Sequence, residues 1–204
     1  MFFPMDLKLM PILTNSAFEK NIEDYIVVYD DVLKSDFCDG VVAEFAEEEW
    51  RSTQVDESAR VDRRIRNADA VSLSTPDVIQ KNLGVRKKIE DTLFTACAGI
   101  LRRYHARFPH SAVVEGMGFE LLRYSPGGYY RVHTDSFKRV PRSLACSFTL
   151  NNDFEGGEWS FFGGAKVLRP AVGSIVIFPA NFMYPHEITE VRNGTRYSIV
   201  TWMI

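Results

Sequence analysis

The chain has 204 residues, 46% hydrophobic and 25% charged, with a formal net charge of -3. These fractions suit a folded chain with a sizeable core and exclude wholesale disorder, while the acidic balance offers no general attraction to nucleic acid or anionic membranes. Three scattered cysteines, Cys38, Cys97 and Cys146, form no CxxC pair, which argues against a zinc ribbon or disulfide framework and for a reducing, cytoplasmic setting.

The opening MFFPMDLKLMPIL is apolar but broken by Pro4, Asp6, Lys8 and Pro11. It lacks a basic region followed by a clean apolar stretch, so it does not read as a signal peptide. No apolar run approaches the length of a membrane span. Tyr25 to Leu33 is a β-branched run that predicts a strand leading into a loop. Ser35 then stands where an N-cap would, and Phe37, Val41, Val42, Phe45 and Trp50 follow at helical spacings. The polar stretch 52–74 carries Arg60, Arg63, Arg64 and Arg66 and reads as a solvated surface loop. From Val85 to Phe108, apolar residues recur at Ile89, Leu93, Cys97, Ile100, Tyr104 and Phe108, the pattern of a long amphipathic helix. His105 and His110, at its end and in the following loop, suit charge compensation at a helix C-terminus.

From Met117 onward the character changes. GFELLRY, YYRVHTD, SLACSFTLN, EWSFF, KVLR, SIVIFPA and TRYSIVTWMI are separated by Gly, Pro and Asn turn signals. Short strands at roughly 8–12-residue spacing imply a sandwich, jelly roll or barrel. Without repeat or linker, residues 1–204 read as one domain, with 1–115 mainly helical support and 116–204 the β-rich core.

The chemistry concentrates in this second half. His133 and Asp135 are two apart in an extended run, so both side chains reach one face. His186, after the strand SIVIFPA, can add a third ligand. Two imidazoles and one carboxylate on one face of a metal are the facial triad of non-haem Fe(II) sites. Ten residues on stands Arg196, with Ser198 sharing its face. An arginine inside a sheet is costly unless it meets an anion, and its planar fork matches a carboxylate. The pair suits the distal carboxylate of 2-oxoglutarate.

HTD at 133–135, His186 about fifty residues later and RYS at 196–198 together resemble the 2-oxoglutarate/Fe(II)-dependent dioxygenases. LLRYSPGGYYRVHTD, LNNDFEGGEWSFF and HEITEVRNGTRYSIVTWM resemble the prolyl 4-hydroxylase-like branch. The resemblance implies an α+β chain with a double-stranded β-helix (jelly roll) supported by N-terminal helices. It implies iron held by His133, Asp135 and His186, and 2-oxoglutarate held by Arg196, Ser198 and Tyr124. The implied reaction couples decarboxylation of 2-oxoglutarate by O2 to hydroxylation of a substrate C–H bond, with ascorbate as reductant. The implied substrate is a prolyl residue in a protein or peptide; the alternatives are a free amino acid or other small molecule, or a non-catalytic metal-binding jelly-roll protein. Arg196 stands where collagen-type enzymes usually carry lysine, which points away from a collagen-like substrate. Trp202 occupies the position of a second arginine typical of the nucleic-acid demethylases, so no nucleic-acid partner is expected.

Arg131, by alternation with His133, and Trp202, six residues beyond Arg196, are candidate substrate contacts. Trp159 and Phe161 read as packing. A strict two-residue Asn193-Gly194 hairpin would send His186 and Arg196 to opposite faces. If both serve one pocket, a bulge or a longer loop is expected there.

Overall fold

The computed structural model describes residues 21–55, 59–111, 113 and 115–204. The apolar N-terminal stretch lies outside the described residues. Among the described residues, twelve strands form two antiparallel sheets. In chain order they are β1 (Val27–Tyr29), β2 (Arg51–Ser52), β3 (Arg66–Asn67), β4 (Asp69–Ser72), β5 (Glu120–Tyr124) and β6 (Tyr129–His133). Then follow β7 (Leu144–Thr149), β8 (Trp159–Phe161), β9 (Lys166–Leu168), β10 (Ile175–Pro179), β11 (His186–Ile188) and β12 (Arg196–Met203). One sheet runs β1-β10-β7-β12-β5-β4-β2 and the facing one β3-β6-β11-β8-β9. Every run expected to be a strand in the second half forms one. β11 is an addition, because its three residues carry no alternation long enough to read.

The helices are α1 (Ser35–Glu44), α2 (Pro76–Gln80) and α3 (Leu83–Arg107). Ser35 is the first residue of α1 rather than its cap; Lys34 holds the cap position and makes no side-chain cap bond. Trp50 lies beyond the end of α1. α3 buries the expected stripe, Ile89, Leu93, Cys97, Ile100 and Tyr104. These side chains share one core with Leu121, Cys146, Phe148, Ile175 and Ile199 of the larger sheet. Burying a Leu or Phe side chain is worth about 1.5–3 kcal/mol, so this junction is the main apolar contact of the helices. All three cysteines are free thiols and buried. Among the described residues no helix is long and apolar enough to cross a membrane.

Two expectations need correction. The first half is not helical support alone: β1, β2 and β4 extend the larger sheet, and β3 edges the smaller one. These strands have two to four residues, too few to impose a period-2 pattern on the sequence. Nor does the Asn193-Gly194 turn close a hairpin. β11 and β12 belong to different sheets, and the chain between them crosses from one to the other. Its backbone groups are satisfied elsewhere: Gly127 donates to Val191 O, Val191 to Gly128 O, and Arg192 to Glu155 O. Gly194 sits at φ +72, where an added Cβ would lie 2.4 Å from Asp153 O, so glycine is required at this crossing.

Candidate active site

The cavity lies between the two sheets. His133 ends β6 and His186 begins β11, directly opposite in register, which sets their rings 4.2 Å apart at 58°. Asp135 follows two residues after His133. Its two carboxylate oxygens face the two rings separately: His133 Nε2 is 3.4 Å from Oδ1 and His186 Nε2 is 3.7 Å from Oδ2. These three residues offer ligand atoms that all lie within 4.8 Å of one another.

Backbone carbonyls fix the tautomers. His133 Nδ1 lies 2.9 Å from Arg131 O, and His186 Nδ1 lies 3.0 Å from Tyr184 O. A carbonyl only accepts, so each Nδ1 carries a proton and each Nε2 is the nitrogen left facing Asp135. Burial, aided by neighbouring His133, pushes the His186 pKa down to about 4, so the ring is neutral near pH 7. For Asp135, burial favours the neutral acid, but His186, His133 and the Trp202 indole together hold its pKa well below the ordinary range. Two imidazoles and an ionised carboxylate make the donor set that a divalent iron ion takes.

Across the cavity, Arg196 opens β12. It is buried, and Nη1 donates to Ser198 Oγ at 2.9 Å. Its guanidinium carbon stands 5.2 Å from the Tyr124 ring and 5.8 Å from the Trp159 ring. No carboxylate pairs with it among the described residues, and burial lowers its pKa. Gly157, at φ +65, lets this arginine through: a Cβ there would sit 3.0 Å from Arg196 Cδ. A guanidinium out of water without an anion is costly. The pocket is therefore shaped for an anion at this end and a metal at the other.

Of the residues singled out in the sequence, His133, Asp135, His186, Arg196, Ser198, Tyr124 and Trp202 all line this cavity. Arg131 does not. It is exposed, with its guanidinium 4.0 Å from the Tyr129 ring. The cause is a register shift: His186 pairs with His133, but Ile188 pairs with Tyr130. One extra residue in β6 breaks the alternation, turns Arg131 outward and brings Tyr130 inward. The Tyr130 ring then stacks on His133 at 3.4 Å between centroids. His105 and His110 belong to α3 and the turn beyond it and are not among the lining residues.

Sequence reasoning missed Tyr130, Arg142 and Arg66. Arg142 Nη1 donates to Asp135 O at 3.1 Å, and its guanidinium lies 3.8 Å from the Trp202 ring. Arg66 corrects the reading of 52–74 as a solvated loop. Arg64 does make an exposed pair with Asp62, and Arg63 bonds Asn67 and Asp69. Arg66, in contrast, is buried on β3 and lines the cavity. Only a register with β6 distinguishes it from its neighbours, and a two-residue strand leaves no such signal.

Residues 119–204 match the model of the 2OG-Fe(II) oxygenase superfamily. Over 94 residues the chain is 32% identical to a PKHD-type hydroxylase of Alteromonas mediterranea. That stretch covers 40% of this chain and 40% of that relative's length. Among solved structures, a prolyl hydroxylase from Trichoplax adhaerens, in complex with a hypoxia inducible factor peptide fragment, aligns with a TM-score of 0.73 at 17% identity, over 88% of this chain and 83% of that one. A viral collagen prolyl hydroxylase from Paramecium Bursaria Chlorella virus-1, in a 2OG complex, gives 0.65 at 17% identity, over 88% and 95%. A Pseudomonas putida prolyl-4-hydroxylase gives 0.59 at 18% identity, over 88% and 91%. At such identities these structures establish the shared jelly-roll fold. The family resemblance read from the sequence is borne out.

Proposed function

We propose that the match to the 2OG-Fe(II) oxygenase superfamily extends to activity: the chain is an Fe(II)- and 2-oxoglutarate-dependent dioxygenase that hydroxylates a prolyl residue in a protein or peptide. The observation that carries this reading is one cavity with His133, His186 and ionised Asp135 at one end and, at the other, a buried Arg196 with no carboxylate partner among the described residues. The peptide substrate is supported by the related fold that was solved with a peptide fragment bound. The described stretch acts as one unit, a reading supported by first-half strands completing both sheets.

In this reading His133, Asp135 and His186 hold iron, and Arg196, with Ser198 and Tyr124 beside it, receives the distal carboxylate of 2-oxoglutarate. Bound there, iron and 2-oxoglutarate would supply, with O2, the oxidising chemistry that yields succinate and carbon dioxide, with ascorbate as reductant. The chain's own contribution is positioning and exclusion of water. The Arg131 and Tyr184 carbonyls lock both rings with Nε2 inward. The Trp202 indole favours the ionised form of Asp135. Tyr130, Trp159 and Phe178 wall the space beside the rings, so an oxidising step proceeds away from bulk water.

The test is succinate formation from 2-oxoglutarate with Fe(II) and ascorbate, together with a +16 Da product on a proline-containing peptide. His133→Ala is expected to lower turnover at least a hundredfold; unchanged turnover in that variant would overturn the iron assignment.

A further inference from the structure

The reaction leaves Arg66, a buried cation of the cavity, without a task. Arg66 is 8% exposed and pairs across β3 with Tyr130 of β6. Nη1 donates to Gln54 O at 3.2 Å, and the guanidinium lies 4.5 Å from the Tyr130 ring. Its Nε is buried and has no partner among the described residues.

Arg66 lines both the cavity around His186 and a cleft of about 270 Å3 that adjoins it at Asp135. Arg51 and Arg142 also line that cleft, and the Nε of Arg142 is likewise buried without a partner. Against these three cations stand Asp135, already facing the two imidazoles, and the exposed Glu120. The cleft therefore carries an excess of positive charge beside the metal end.

Arginine keeps its charge at every working pH. A neutral amide carbonyl would give the open N–H an acceptor and leave the charge uncompensated. A carboxylate supplies two acceptors and cancels the charge, the stronger match for a desolvated guanidinium. We propose that Arg66 is a specificity-determining residue that binds a carboxylate carried by the molecule to be hydroxylated. This rests on the oxygenase reading of the site. The carboxylate is either that of the hydroxylated residue itself or that of an acidic neighbour in a peptide.

Binding is measured by calorimetry on the full chain with Fe(II) and saturating 2-oxoglutarate, without oxygen. Two probe pairs separate the sources: N-acetylproline against N-acetylprolinamide, and acetyl-prolyl-glutamate amide against acetyl-prolyl-glutamine amide. In at least one pair the carboxylate is expected to bind roughly tenfold tighter, about 1.4 kcal/mol. Arg66→Met abolishes that preference and leaves 2-oxoglutarate affinity within about threefold. Arg66→Lys, a charge without the fork, keeps part of it and serves if the methionine variant fails to fold. Equal binding within both pairs, including no detectable binding of either, overturns the proposal. So does an equal loss of 2-oxoglutarate affinity in the variants, which would assign Arg66 to the co-substrate. No turnover is needed, so a chain that forms no succinate can still pass or fail this test.

Discussion

The two faces of the seven-stranded sheet are built from alternate residues of the same strands, yet they do opposite work. Toward α3 point Leu121, Cys146, Phe148 and Ile199, which close on Leu93 and Cys97 in an apolar layer. Toward the cavity point Tyr124, Ser147, Arg196 and Ser198. The pairing Ile199 with Phe148 and Ser198 with Thr149 shows how one register fixes both sets at once. The helix face gains stability from close packing, whereas the cavity face holds a charged group that lowers stability until a ligand meets it. The period of two makes this division possible: a one-residue slip would bury Arg196 against α3 and turn Ile199 into the cavity.

The largest stability effect that tests this division lies on the helix face. Phe148 is fully buried, and Phe148→Ala is expected to cost about 3–5 kcal/mol in denaturant unfolding through lost transfer energy and a cavity. Iron affinity of the folded fraction should hold. If iron affinity falls in step with stability, the faces are not independent and the comparison breaks.

How much of this division is legible in the sequence follows from element length. α3 and the longer strands carry enough periodic residues to declare their faces, so the stripe from Ile89 to Tyr104 and the pair Arg196–Ser198 can be read directly. The triad is legible because HTD is local and His186 follows a recognisable strand. Three features are hidden for one reason, that pairing between distant segments decides them. Tyr130 and Arg131 exchange roles through an extra residue in β6. Arg66 turns inward by pairing with Tyr130. The Asn193-Gly194 turn joins two sheets instead of two neighbours.

A smaller effect sharpens the cavity face through pH. In the metal-free chain the folded-state pKa of His186 is about 4, against about 6.5 for an unfolded histidine. The unfolded chain therefore takes up the proton first, so this stability is fully present above about pH 6.5 and is lost as the pH falls toward 4. About 2 kcal/mol is expected to go between pH 7 and pH 5. Asp135 and Glu48, both with lowered pKa values, add acid sensitivity only below the ordinary carboxylate range. Urea midpoints at pH 7 and 5 check this, with His186→Gln expected to flatten the difference; equal midpoints in the unaltered chain would refute it.

Arg196→Met separates the two faces by sign. Removing a buried, anion-free guanidinium is expected to raise the stability of the ligand-free chain by about 1 kcal/mol or more, because methionine fills the space without desolvating a charge. The same change is expected to weaken 2-oxoglutarate binding at least thirtyfold, about 2 kcal/mol, with iron affinity retained. Calorimetry gives both affinities and thermal unfolding the stability. A loss of stability would mean that the guanidinium contributes more through Ser198 and the aromatic rings than its burial costs.

The finest test compares adjacent residues of β12. Ile199 is fully buried against Phe148 and Leu121, and Ile199→Val removes one methylene from a close-packed layer, for which about 0.5–1.5 kcal/mol is expected. Val200, on the other face, lies opposite Ser147 in register and lines the cavity. Val200→Thr keeps the shape and adds a hydroxyl that Ser147 can bond, so its cost is expected to stay below about 1 kcal/mol, although the same swap in a dry core is unfavourable. Denaturant midpoints for the two variants give the order. If Val200→Thr proves the more damaging, the cavity face is as dry as the helix face, and the polar groups placed there cannot be reached by a water-borne co-substrate.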